Sequence, residues 1–228
     1  MTRVFLASCF IVGLSAGAIA RDGMDVKVVE QAPPASLSKA IRESIDSQKA
    51  YRILDESGEE LAKVWLRKAT PASEKPARPK GVVQFPFLTD GELLGVIEFA
   101  KEGHDFRDQA VAKGIYTIRY GLQPVNGDHL GVSDYRDYAL LLPASKDQQV
   151  DAPKRKQLEQ KSAEAAGTSH PATFYLMASP SGSKASPAMI HDAAKETWSV
   201  VLPLPLEVKG VGSLLYPVRL VVVGMSAA

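Results

Sequence analysis

Cysteine is all but missing: Cys9 is the only one in 228 residues, and it sits inside an apolar N-terminal run. One thiol cannot build a disulfide framework or a Cys-rich zinc site. Catalytic signatures are missing too, with no phosphate-binding glycine loop, no Gly-x-Ser-x-Gly elbow and no zinc or haem spacing in the sequence. An excess of either charge is absent, with 27 Lys and Arg against 26 Asp and Glu and a formal net charge of +1. A chain so balanced has no long-range field to gather nucleic acid or an anionic membrane, and both are excluded as main partners. No apolar run reaches the roughly 20 residues that a bilayer-spanning helix needs; the longest, Val4 to Ile19, falls short.

That short run reads as an address. Met1-Thr2-Arg3 supplies a positive start, Val4 to Ile19 an apolar and small-residue core, and Ala18-Ile19-Ala20 the small-x-small pattern at which a signal peptidase cuts. Residues 1–20 are therefore expected to be a signal peptide, with a mature chain from Arg21 that is secreted or periplasmic and has no membrane span. Leu6-Ala7-Ser8-Cys9 has the residue types of a lipoprotein box, but only Val4, Phe5 and Leu6 precede it, too few for the hydrophobic region such a signal requires. Cleavage leaves 208 residues with 26 basic and 26 acidic side chains and no cysteine. Stability must come from an apolar core, which a domain of this size is large enough to bury.

The mature chain divides into a tail with a short helix, 21–48, and one domain, 49–228. Val26, Val28 and Val29 make a strand-like patch in the tail, and Ser36 or Ser38 can cap a helix in which Leu37, Ile41 and Ile45 form one stripe. Asp55-Glu56-Ser57-Gly58 reads as the turn of a hairpin between 49–54 and 60–67. Ala69 to Lys80, with three prolines, reads as a surface loop. Further strands are expected at 82–88, 93–99, 114–122, 138–143, 173–178, 198–207 and 214–224. In the third of these, Tyr116, Ile118, Tyr120 and Leu122 share one face while Thr117 and Arg119 are expected to face water. Asp151 and Pro153 open a surface helix that Gly167 ends, giving a helical excursion near 151–167. In 198–207, Trp198, Val200, Leu202, Leu204 and Leu206 share a face, and Pro203 and Pro205 withhold donors on one side, as in an edge strand. The run 214–224, apolar apart from Arg219, should lie inside a sheet. About eight strands without strand-helix alternation predict a mainly β, antiparallel two-sheet sandwich, immunoglobulin-like or jelly-roll-like, with one or two short surface helices.

Across Gly114-Ile115-Tyr116-Thr117-Ile118-Arg119-Tyr120, Asp128-His129-Leu130-Gly131-Val132-Ser133, Arg136-Asp137 and Gly167-Thr168-Ser169-His170-Pro171, the chain resembles a set of uncharacterised secreted proteins of planctomycete-type bacteria, over most of the mature sequence from about Tyr51. The resemblance implies no activity. The Gly-x-Tyr-Thr element also resembles strands of immunoglobulin-like extracellular modules.

Candidate functional residues concentrate in Pro124 to Asp137, where long inter-strand loops carry binding groups. Asp128, His129, Asp134, Tyr135, Arg136 and Asp137 are the expected ligand-binding set, against the plainer reading of turn chemistry and a structural ion pair. His104, His129 and His170 are weak metal candidates: no pair has ligand spacing, and no metal or other cofactor is expected. Asp105, Asp108, Asp128, Asp134 and Asp137 lack calcium-loop spacing, and a glycosidase pair among them cannot be read from sequence. Trp65, Trp198, Tyr116 and Tyr120 could stack on sugars but alternate as core residues do. His191 with Asp192 falls in a polar segment, and Lys154-Arg155-Lys156 reads as a wet helix face balanced by Glu159 and Glu164. The expectation is a non-catalytic binding or structural module at the cell envelope or outside the cell, with a protein or glycan partner. The alternative is a hydrolase or metal-dependent enzyme built from the loop His and Asp residues.

Overall fold

A computed structural model describes residues 23–125, 133–180 and 182–225. The strands are β1 (Asp25–Glu30), β2 (Lys49–Leu54), β3 (Glu60–Leu66), β4 (Thr70–Ala72), β5 (Leu93–Phe99), β6 (Gly103–His104) and β7 (Ala110–Val111), followed by β8 (Gly114–Leu122), β9 (Asp137–Pro143), β10 (Thr173–Ala178), β11 (Ala188–Asp192), β12 (Thr197–Val208) and β13 (Gly212–Val223). Two helices interrupt them, α1 (Lys39–Ser44) and α2 (Arg155–Ala166). Neither helix is long and apolar enough to cross a membrane.

The strands pair along one path, β1-β2-β3-β5-β8-β9-β10-β13-β12-β11, with β4 parallel beside β12 and β6-β7 as a separate ribbon. β10 is the corner. Its first half, Thr173 to Tyr175, pairs with β9, and its second half, Leu176 to Ala178, pairs with β13, so the chain passes from one sheet to the next within one strand. The inward side chains of both halves meet in a single core, where Ile53, Val64, Ile97 and Ile118 of the first sheet pack with Leu202 and Leu220 of the second. The antiparallel, two-sheet architecture is thus that of a β-sandwich, as the period-2 patterning predicts.

The outer face of the first sheet is also covered. Ser38 Oγ accepts from Ile41 N at 3.2 Å to start α1, which lays Leu37, Ile41 and Ile45 against Trp65, Leu93 and Val96. Helix α2 begins without a side-chain cap and ends on Gly167 in the left-handed region at φ 62°, where glycine has no Cβ to strain. Its Leu158 closes over Leu140 and Leu142.

This cover corrects the expected exposure of the outer face of β8. Thr117 and Arg119 point outward, but the segment that follows β9 lies over them and leaves both fully buried. Arg119 is held there by Asp147, from Nε to Oδ2 at 2.6 Å and from Nη2 to Oδ1 at 3.1 Å. Nη1 donates to Gly91 O at 2.8 Å and Nη2 to Gln149 O at 2.5 Å, while the Thr117 hydroxyl donates to Asp147 Oδ2 at 2.6 Å. The partner lies 28 residues downstream, beyond the reach of any local pattern.

Other expectations change as well. Residues 82–88 form turns rather than a strand, because Pro86 breaks the ladder and Asp137 takes its donors, accepting from Gln84 N at 2.7 Å and Phe85 N at 2.9 Å. Phe85 and Phe87 still enter the core, edge-on to Tyr216 at 6.1 and 5.2 Å. The 69–80 segment is not wholly loop, since Thr70 to Ala72 pairs with Leu206 to Val208. His191 and Asp192 belong to β11, which pairs with Thr197 to Val201. Strand β12 therefore has neighbours on both sides, and Pro203 and Pro205 fall in the gap between β11 and β4, where no ladder asks for their missing donors. Trp198 is half-buried, stacked on His191 with 4.3 Å between ring centroids.

Candidate binding groove

The described part of the expected binding loop is committed to holding the fold. Arg136 clips its two stems together, donating from Nε to Gln123 O at 2.6 Å and from its backbone N to Val82 O at 3.0 Å. Asp137 is fully buried and accepts, besides Gln84 N and Phe85 N, the Tyr120 hydroxyl at 2.6 Å. Burial first, and then the Asp137 carboxylate, push the Tyr120 phenol far above its ordinary range. Tyr135 is half-buried and Asp134 exposed. Asp128 and His129 lie outside the described residues.

The described histidines and aspartates do not assemble. His104 Nδ1 pairs at 3.0 Å with Asp108, both exposed, while His170 is exposed at the far end of α2. Asp105 is buried and accepts Arg107 N, Gln109 N, Gln109 Nε2 and Thr173 N at 2.8 to 3.0 Å, which fixes the 105–109 turn against β10. Among the described residues no three His, Cys, Asp or Glu side chains come together as a metal site would require. Trp65, Tyr116 and Tyr120 are interior and offer no platform for a sugar ring.

A concavity lies elsewhere, in a groove of about 910 Å³ between α2 and the outer face of β8, β9 and β10. Its floor is Leu122, Tyr138 and Leu140. Gly121 permits that floor, because a Cβ there would stand 2.8 Å from Leu140 Cδ1 and displace the side chain. One wall is the stripe Lys156, Gln160, Ala163 and Gly167, spaced to share one side of α2. The facing wall is Phe106, Arg107, Pro171 and Thr173. Phe106 is braced by Tyr175 and Tyr138, with ring centroids 5.1 and 6.3 Å away. Burial raises the Tyr138 phenol and pushes that of Tyr175 up to about 12, so both stay neutral.

The charges along the groove are unequal. Arg155 is gripped by Glu159, from Nε at 2.6 Å, and by Asp90, from Nη1 at 3.1 Å; Asp90 also accepts Leu122 N. Glu164 stands 3.9 Å from Lys146. Arg107 and Lys156 are exposed and take part in no ion pair among the described residues. The basic tract thus separates by role: Lys154 flanks the helix, Arg155 ties it to Asp90, and Lys156 faces the groove.

Sequence reasoning missed Leu122, Leu140, Phe106 and Ala163 as groove residues. A signal was present in Tyr138 to Leu142, whose apolar residues do not alternate, as expected of a strand buried on both faces. No protein-family model, curated protein or solved structure matches this chain.

Proposed function

We propose that this protein is an exported, non-catalytic binding module whose site is the groove between α2 and the sheet. The single observation that carries the reading is the groove itself. Its volume falls within the few hundred to roughly 1,000 Å³ of small-molecule sites, and it sets an apolar floor among polar side chains, Glu164 and His170 included, as sites that bind and orient a ligand do. Export is supported by the signal-like residues 1–20. A binding role is favoured over the enzyme alternative because the buried carboxylates described above accept donors of their own fold, and the groove's own Glu159 and Glu164 face Arg155 and Lys146.

The test is thermal unfolding of the mature protein against a panel of small apolar and amphipathic compounds, in parallel with Gln160→Trp, which fills the groove from an exposed position. A groove ligand raises the Tm of the parent and leaves that of Gln160→Trp unchanged, since a ligand bound only by the folded state must stabilise it. Equal stabilisation of both proteins would place the site elsewhere.

A further inference from the structure

We infer that the groove takes one amphipathic chain, a long-chain aliphatic carboxylate, with its head between Arg107 and Lys156 and its chain running along α2 toward Gly167. This rests on the groove being the binding site.

Shape comes first. The stripe from Lys156 to Gly167 gives the groove a length of about 16 Å at the ordinary helical rise, so the space suits an extended chain better than a compact ring. The floor is aliphatic and aromatic, and every strand beneath it is already paired, β8 with β9 and β9 with β10. A bound peptide would find no free strand edge to extend. A polar sugar would leave its hydroxyls against Leu122, Leu140 and Phe106 without partners, which is unfavourable in a largely apolar cleft.

Charge fixes the head group and its end. The lining carboxylates Glu159 and Glu164 each face a cation, whereas Arg107 and Lys156 have no carboxylate partner among the described residues. Both belong to the end of the groove where Leu122 and Tyr138 lie. Tyr138 pairs with Gly121 across the β8-β9 ladder, and Phe106, next to Arg107 in sequence, packs its ring 6.3 Å from that of Tyr138. Lys156 adjoins Arg155, which is anchored to the Asp90 carboxylate that caps Leu122 N. Two unpaired cations above an apolar floor complement an anion that carries an aliphatic tail.

The experiment is isothermal titration of the mature protein with octanoate, decanoate, dodecanoate and dodecanol, repeated on Arg107→Glu/Lys156→Glu and on Gln160→Trp. All substituted positions are exposed, and their unliganded melting is measured alongside. Affinity is expected to rise about fourfold per added methylene. It should fall on the order of tenfold with charge reversal or with the alcohol head, and vanish in Gln160→Trp. Dodecanol binding as tightly as dodecanoate, with loss in Gln160→Trp, would overturn the anionic head and leave the groove as the site. Binding without chain-length dependence would overturn the chain. Binding undiminished in Gln160→Trp would overturn the groove itself.

Discussion

Removing the carboxylate of Asp147 strands a guanidinium in the interior. Arg119 is fully buried and Asp147 supplies its only charge partner among the described residues, through Nε at 2.6 Å and Nη2 at 3.1 Å. In Asp147→Ala the carbonyls of Gly91 and Gln149 still accept from Arg119, but its charge is uncompensated, and breaking a buried pair in this way costs about 3 to 5 kcal/mol. That is a large fraction of the roughly 5 to 15 kcal/mol that holds a domain folded. Arg119→Met should cost less, because Asp147 keeps the Thr117 hydroxyl and has Lys161 Nζ 4.0 Å away, with a path to solvent. The double variant should be no worse than Asp147→Ala alone, so that the coupling is at least as large as the cost of Arg119→Met. Urea unfolding gives these differences. Amide exchange adds a local readout, because the clamp holds residues 145–151 on the sheet and their protection should drop below the global level in Asp147→Ala. If Asp147→Ala unfolds within about 1 kcal/mol of the parent with unchanged exchange at 145–151, the pair is not what fixes that segment, and the account of β8 fails.

Three shorter predictions follow from other parts of the chain. Gly95→Ala should cost about 2 kcal/mol or more, since its Cβ would stand 2.4 Å from the Trp65 carbonyl oxygen and the β3-β5 ladder would have to part; a melting curve like the parent's would contradict the pairing. Hydrogen bonds from Lys101 and then Ser57, with a further bond from the backbone of Glu59, lower the Asp55 carboxyl to about 2, so its contribution to stability is present at neutral pH and fades as pH falls from about 4 to about 2. Both side chains are partly exposed, which holds that contribution under about 1 kcal/mol; the stability gap between parent and Lys101→Met should close across that window, and a gap persisting below it would refute the assignment. Intact mass of protein recovered from the export compartment should match a chain beginning at Arg21, and retention of Met1 to Ala20 or an added lipid would overturn the export reading.

The strands were legible wherever one face met the core and turn residues marked the ends, as in Lys49–Leu54, Leu93–Phe99, Thr173–Ala178 and the long pair β12 and β13. Local pattern failed where burial came from distant chain. Thr117 and Arg119 alternate with apolar residues as a wet face does, and only the later Asp147 segment makes them interior. Phe85 and Phe87 look like strand residues, yet a side chain from residue 137 takes the backbone donors beside them. The short β4 and β11 depend on the long β12 for their ladders and carry little signal of their own. The groove was hidden for the same reason: its floor, helix wall and facing wall come from three separated stretches. The polar loop residues Arg136 and Asp137 are spent on hydrogen bonds to Gln123 and to the distant Phe85.

The central claim is that the groove is where this protein binds, and amide chemical-shift mapping of the mature protein during titration with dodecanoate tests it most directly. The account predicts saturable shifts concentrated at 121–123, 138–140, 156–163 and 167–173, with β1 and β11 unmoved. Shifts centred on the strand edges, or none at saturating ligand, would contradict it.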